Sequence, residues 1–371
     1  MDFITQVTLG GAVGQATMHR ELGNKAALWG MLAGALPDLD ILAYPLMDPV
    51  TQLTWHRGIS HSILLTVLLT PLLGWLVARV HQGRITLEKA ALFVFLAIGT
   101  HILLDLFTTY GTQIYAPFSD HQVAFHTLFI IDPMYTLPLL FFFLLSLLPG
   151  ETRAKLFRNA AGLILSSAYI IVALLFKFTT LTSFERELER QNIPVQRIIT
   201  TATPFNTVLW RCVAETAGGY YIGYRSLFDS HHTIQFWYIP RNEQLLAPFE
   251  GQRALETLEW FSDGWYSAER RSTGIYFHDL RFGEYDYTDA KRNFGLETPH
   301  HLEYVFSFRF VESGVADGPE LYTIAQTDFR RTGIRAILAA LWQRLKGIDG
   351  RVAVSGNVFN AAGERGPFPS P

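Results

Sequence analysis

Histidine and aspartate collect at a few points of an otherwise apolar half-chain. They are His19, Asp38 and Asp40 in Leu-Pro-Asp-Leu-Asp, His56 and His61 in His-Arg-Gly-Ile-Ser-His-Ser, and His101 with Asp105 in His-Ile-Leu-Leu-Asp. Asp120, His121, His126 and Asp132 follow. His101 and Asp105 stand four apart, so on a helix they project from one face, one turn apart, where a single ion can bridge them. Taken alone, that pair could equally be a hydrogen bond that staples two helices. An ionisable pair inside an apolar span is costly and faces a partner, an ion or water. Mixed imidazole and carboxylate ligands suit Zn²⁺ first, then Mn²⁺ or Fe²⁺, better than the oxygen-loving Mg²⁺ and Ca²⁺. Six or more candidate ligands leave room for one or two ions, and two would suit hydrolysis of a phosphodiester-like bond. Arg57, between the two histidines, carries a guanidinium fork that can clamp a phosphate or carboxylate. Snorkelling to lipid phosphates is its alternative role. Ser60 and Ser62 read as helix caps rather than nucleophiles.

The elements that must hold these residues are membrane helices. Of the 63 Asp, Glu, Lys and Arg in 371 residues, only 20 fall in residues 1–183. Four stretches are apolar and long enough for a hydrocarbon core of about 30 Å: Ser62 to Val80, Lys89 to Phe107, Pro133 to Pro149 and Asn159 to Leu181. Two shorter Gly- and Ala-rich segments, Phe3 to Met18 and Ala26 to Leu36, read as re-entrant or tightly packed helices. The N-terminus lacks a basic region and a small-residue cleavage site, which argues against a cleaved signal peptide. Arg79, Arg84 and Lys89, and then Arg153, Lys155 and Arg158, mark two loops as cytoplasmic. The other helix ends, with His56, His61, His101 and Asp105, then face outward. So does everything after about Thr182.

The second half reads as a β-rich domain, with aromatic and β-branched runs at Tyr220 to Tyr224, Thr233 to Ile239, Gly274 to Phe277 and Tyr304 to Val311. A charged connector, Phe184 to Arg190, precedes it. Thr332 to Lys346 reads as an amphipathic helix, either lying on lipid or packed on its own domain. The expected organisation is a membrane domain over 1–183, a periplasmic β-rich domain over 184–359 and a disordered tail over 360–371. The fold class is an all-α membrane bundle of four or more transmembrane helices followed by a β-rich soluble domain. A net charge of −3 offers no basic field for nucleic acid. The single cysteine, Cys212, excludes a disulfide framework and a multi-cysteine zinc site.

The N-terminal His, Pro-Asp-x-Asp, His-Arg-Gly-x-Ser-His-Ser, and His-x-x-x-Asp before Thr-Tyr-Gly-Thr together resemble the YdjM-like family of inner-membrane metal-dependent hydrolases. The motifs fall within residues 1–150, with a looser likeness at Pro204 to Arg211 and Tyr220 to Asp229. The order His, Asp, His, His-x-x-x-Asp also resembles, more loosely, the zinc-dependent phospholipase C and nuclease group. Carried over, this implies Asp38 or Asp40, His61, His101 and Asp105 around one metal, with His56 beside them and His19 near a second. That group's later His and Glu ligands have no clear match here, although His121 and His126 could substitute.

The resulting expectation is a bacterial inner-membrane hydrolase that uses a metal-activated water on ester or phosphodiester bonds of lipids or lipid-linked molecules. Asp40 or His56 would be the base and Arg57 would sit on the substrate anion. Membrane lipid is the expected partner. An ion or metal transporter, or an envelope scaffold with a structural metal, are the alternatives from other classes.

Overall fold

The computed structural model describes residues 1–230, 233–285, 303–311, 320–322, 334–347, 358–359 and 365–366. The chain forms two units, Met1–Leu174 with Pro204–Asn206, and Leu175–Thr203 with Thr207–Pro371. The division falls inside a helix rather than at residue 183.

The first unit is helical. α1 (Phe3–Leu22) starts at Asp2, whose carboxylate accepts from Thr5 N, and stops at Gly23 in the left-handed region. It lies against α2 (Lys25–Ala35) through glycines on both helices: a Cβ at Gly14 would sit 2.1 Å from the Ala26 carbonyl oxygen, and one at Gly30 would sit 2.1 Å from that of Gly10. Only small residues permit such an approach. The two short N-terminal segments are therefore a tightly packed helix pair. Pro37 opens a 3-10 helix, Pro37–Leu46, bent 47° from α2. Asp48 caps the short α3 (Pro49–Trp55), a turn follows at Ile59–His61, and Ser62 caps α4 (Ile63–Val80) by accepting from Leu65 N. α5 (Leu87–Leu106) returns antiparallel to it. Asp132 caps α6 (Pro133–Leu147) and accepts from the Tyr169 hydroxyl of α7 (Thr152–Arg190).

Three of these helices, α4, α5 and α7, are long and apolar enough to cross a membrane, and α2 with the bent 3-10 helix makes a fourth candidate. The expected span at Pro133 to Pro149 is shorter than foreseen, at 15 residues, because the Asp132 cap and an extended Leu148 bound it. Leu68, Leu72 and Trp75 on α4 and Ile164, Ile171 and Leu175 on α7 point out of the bundle, as lipid-facing side chains do. The charged connector at Phe184 to Arg190 is the continuation of α7, not a separate element.

The second unit holds two antiparallel four-stranded sheets. β1 (Arg197–Ala202), β2 (Leu209–Thr216), β3 (Gly219–Ser226) and β4 (Phe236–Pro240) pair in sequence order. After α8 (Arg253–Phe261) come β5 (Tyr266–Arg271), β6 (Gly274–Tyr285), β7 (Glu303–Val311) and β8 (Glu320–Tyr322). Two of the strands unmarked in the sequence, β1 and β2, interrupt their apolar residues with arginine, glutamate and threonine. All of β2 is nonetheless buried, its Arg211 paired with Glu284 at 2.6 Å. Of the two readings of the last helix, α9 (Ile334–Leu345), the structure has it packed on its own unit. Ala340 and Leu341 join the core with Val213, Tyr224 and Trp237, and Arg344 bonds Asp229 and the Tyr224 carbonyl. The expected disordered tail lies outside the described residues except for 365–366. On β5, burial would raise the Glu269 carboxyl, but hydrogen bonds from His278 and Arg271 outweigh it and pull it down to about 2.

Candidate metal centre

Four side chains from three segments converge at one end of the helical unit: Asp38 on the 3-10 helix, His61 on the turn before α4, and His101 with Asp105 on the last turns of α5. One ligand atom from each lies within 4.8 Å of the others. His61 Nε2 is 3.4 Å from Asp38 Oδ1 and 3.4 Å from Asp105 Oδ2, and His101 Nε2 is 3.6 and 3.5 Å from the same two oxygens. The two Nε2 atoms are 3.3 Å apart. A tetrahedron whose bonds measure about 2.1 Å, typical of zinc with nitrogen or oxygen, has edges of about 3.4 Å.

The tautomers make this spacing informative. His101 Nδ1 lies 2.6 Å from the Gly34 carbonyl, which can only accept, so the proton is on Nδ1 and Nε2 turns a lone pair inward. Ser60 Oγ donates to Asp40 Oδ2 at 2.8 Å, so it accepts from His61 Nδ1 at 2.9 Å, and His61 Nε2 also turns a lone pair inward. Asp105 Oδ2 is buried and accepts no hydrogen bond, whereas Oδ1 takes Gln6 Nε2 at 2.9 Å, Arg57 Nη2 at 3.1 Å and the Met1 amine. With both rings neutral, four acceptors thus face one point, an arrangement that repels itself unless a proton or a metal cation sits between. The residues fit a divalent metal ion.

The surrounding residues are placed as follows. Asp40, expected as a ligand or base, lies outside the four. It accepts from His56 Nδ1 at 3.0 Å, Ser60 Oγ and the Arg57 amide at 3.2 Å, and its own carbonyl takes the Trp55 indole. It orients residues rather than facing the centre, because the 3-10 helix turns its side chain away from that of Asp38. His56, expected as a ligand, is likewise outside; its ring centroid is 5.9 Å from that of His61. Arg57 is buried, with a backbone φ of 58°, and its fork is taken up by Asp105 and the Thr108 hydroxyl at 2.8 Å. It neither snorkels nor stands ready for a substrate anion.

His19 is a correction. It lies thirteen residues along α1 from Gln6, about 20 Å at the helical rise, at the end where Lys155 is its charged neighbour. No second metal beside this cluster involves it. Asp120 and His121 are exposed, and neither they nor His126 enters the group, while Asp132 serves as a helix cap. Ser62 is a cap, as its type implies, but Ser60 is a link between Asp40 and His61. Gln6, the Gly34 carbonyl and Thr108 were not foreseen. The one available signal was the unusual run of Thr5, Gln6 and Thr8, all buried in α1.

Residues 1–182 match the family model described as YdjM inner membrane protein. Over 233 residues the chain is 28% identical to the uncharacterized protein YfhP of Bacillus subtilis (strain 168), covering 60% of this chain and 68% of that protein. No solved structure matches the chain. The matched segment, just under half of the chain, contains every residue of the cluster and all of the candidate spans but the last turns of α7, so the likeness to the YdjM inner membrane protein family covers the whole candidate site.

Proposed function

We propose that the protein is a membrane-bound metal-dependent hydrolase that cleaves an ester or phosphodiester bond of a lipid or lipid-linked molecule. The observation that carries this reading is the pairing of the four-acceptor centre with an adjacent Asp40–His56 dyad. Asp38, His61, His101 and Asp105 would hold the ion, most suitably zinc, with manganese or iron as the other fits. Bound there, it supplies Lewis acidity and lowers the pKa of water towards 7. Asp40 Oδ1 accepts the His56 Nδ1 proton, which leaves the other ring nitrogen basic, and the His56 side chain is 19% exposed. His56 is thus the proton acceptor and Asp40 its positioning residue. Arg57 holds Asp105 Oδ1 so that Oδ2 stays aimed inward. By the distribution of basic loops, the cluster and the chain after α7 face the periplasm, and membrane lipid is the partner.

A second reading, a structural metal, is favoured by one feature: four protein ligands complete a tetrahedral set, and all but Asp38 are almost wholly buried. The two readings part on His56→Gln, assayed in proteoliposomes against phosphodiester and ester lipids. As a base, His56 contributes on the order of 10²-fold or more to turnover, so the hydrolase reading expects that loss with metal content and melting temperature unchanged. Turnover equal to wild type in this variant, or none in the wild-type protein with full metal, leaves the metal as a staple.

A further inference from the structure

The 3-10 helix that supplies Asp38 and Asp40 has a second face. While Asp38 is 9% exposed, Leu39, Ile41, Leu42 and Leu46 on the same ten residues are exposed, Leu42 at 72% and Leu46 at 88%. Asp40, between Leu39 and Ile41, turns inward with its side chain 3% exposed, so the exposed residues of the ten are all apolar, unlike those of a water-facing loop. The stripe is also continuous with α2, where Leu28 and Leu32, four apart, are exposed on the outer face. α2 and the bent 3-10 helix together have the length and apolarity of a membrane span. Trp55, an amphipathic side chain suited to the membrane interface, is fixed beside this helix by its bond to the Asp40 carbonyl.

We infer that Pro37–Leu46 is a lip inserted among lipid chains, so that the metal centre is approached from the bilayer and not from bulk water. The occupant of the apolar face is lipid hydrocarbon, because the face extends the same exposed apolar surface that the candidate spans present. A continuous apolar stripe of this kind in water would cost about 25 cal/mol for each Å². Its opposite side carries the carboxylate ligand, Asp38. A molecule with long hydrocarbon chains can then lie along Leu39, Leu42 and Leu46 and bring an oxyanion or ester head to Asp38 without leaving the membrane. Shorter, water-borne esters with the same head lack that path. This substrate class rests on the hydrolase reading, whereas the insertion of the lip does not.

The test places a nitroxide at Leu42→Cys or Leu46→Cys in the full-length protein, where the native Cys212 is buried. The variants are reconstituted in vesicles of phosphatidylethanolamine and phosphatidylglycerol, and collision with oxygen is compared with collision with a water-soluble nickel chelate. Leu72→Cys on the outer face of α4 is the lipid reference, and Arg84→Cys in the exposed loop after it is the water reference. Labels at 42 and 46 should follow position 72, with oxygen access several-fold above nickel access. Nickel access like that of position 84 overturns the inference and leaves a hydrolase with a water-borne substrate. Low access to both reagents also overturns it, because a protein surface, most simply a second copy, would then cover the lip. Lipid-like labels on a protein with no hydrolytic activity would remove the hydrolase reading and leave the lip standing.

Discussion

Asp40 joins His56, Ser60 and the Arg57 amide, and through Ser60 it fixes which nitrogen of His61 carries the proton. Asp40→Asn keeps its volume but turns one acceptor into a donor facing donors. Partners of this kind cost about 10–100-fold in metal affinity, so titration of the purified variant with a competing chelator should show weaker binding in a protein that still folds. Undiminished affinity would mean that Asp40 does not act on His61. The Arg57 variants divide differently. Arg57→Gly suits a φ of 58° but takes from the buried Asp105 one of its two cations, the Met1 amine being the other, a loss of up to about 3–5 kcal/mol. Arg57→Lys keeps a charge but cannot reach both Asp105 and Thr108, so its melting temperature should fall between wild type and glycine. At this scale the sequence made His61, His101 and Asp105 legible as a group, because the basic loops put the start of one helix and the end of the next on the same side of the membrane. It could not separate Asp38 from Asp40. A two-residue interval puts them on one face of a strand and on opposite sides of a helix, and only the bend after α2 decides which turns inward.

Glycine contact between α1 and α2 carries two remote groups to the metal centre, the Gly34 carbonyl and Gln6 Nε2. Gly30→Leu puts side-chain atoms where the Gly10 backbone lies, an overpacking that costs about 1–3 kcal/mol or more. It should lower the metal content of the purified protein although residue 30 touches no ligand. Full occupancy would show that α1 and α2 do not set the position of His101. The sheet unit responds to a different variable. Glu269 is held down to about 2, so its pairing with His278 and Arg271 stabilises the fold above the ordinary glutamate range. That contribution fades as pH falls from about 4.5 towards 2. Glu269→Gln should flatten this part of the stability profile, read by circular dichroism of the full chain at stepped pH. A profile parallel to wild type would show the pair to be without effect. The helices were legible from apolar length and the aromatic strands from alternation. β1 and β2 were not, since their arginines are matched by partners far away in the chain, Arg197 by Asp263 and Arg211 by Glu284.

Removal of the metal is a whole-molecule test, because its ligands lie in the first unit only. Dialysis against a chelator should lower the melting transition of the helical unit while the transition of the sheet unit stays where it is. A common shift would mean that the two unfold together. Sidedness is tested by fusing reporters after Asn192, just beyond the end of α7. Alkaline phosphatase should be active there and a cytoplasmic fluorescent protein dark; the opposite result would turn the metal centre towards the cytoplasm. The ligands also have an order in the chain that constrains how the protein is made. Asp38 and His61 emerge from the ribosome early, but His101 and Asp105 close α5, so no stretch of nascent chain before that helix offers more than two of the four. A pair of ligands holds an ion weakly, and binding strengthens only as the site forms. An ion held by all four residues would therefore be acquired late in biogenesis, after α5 has been threaded into the bilayer.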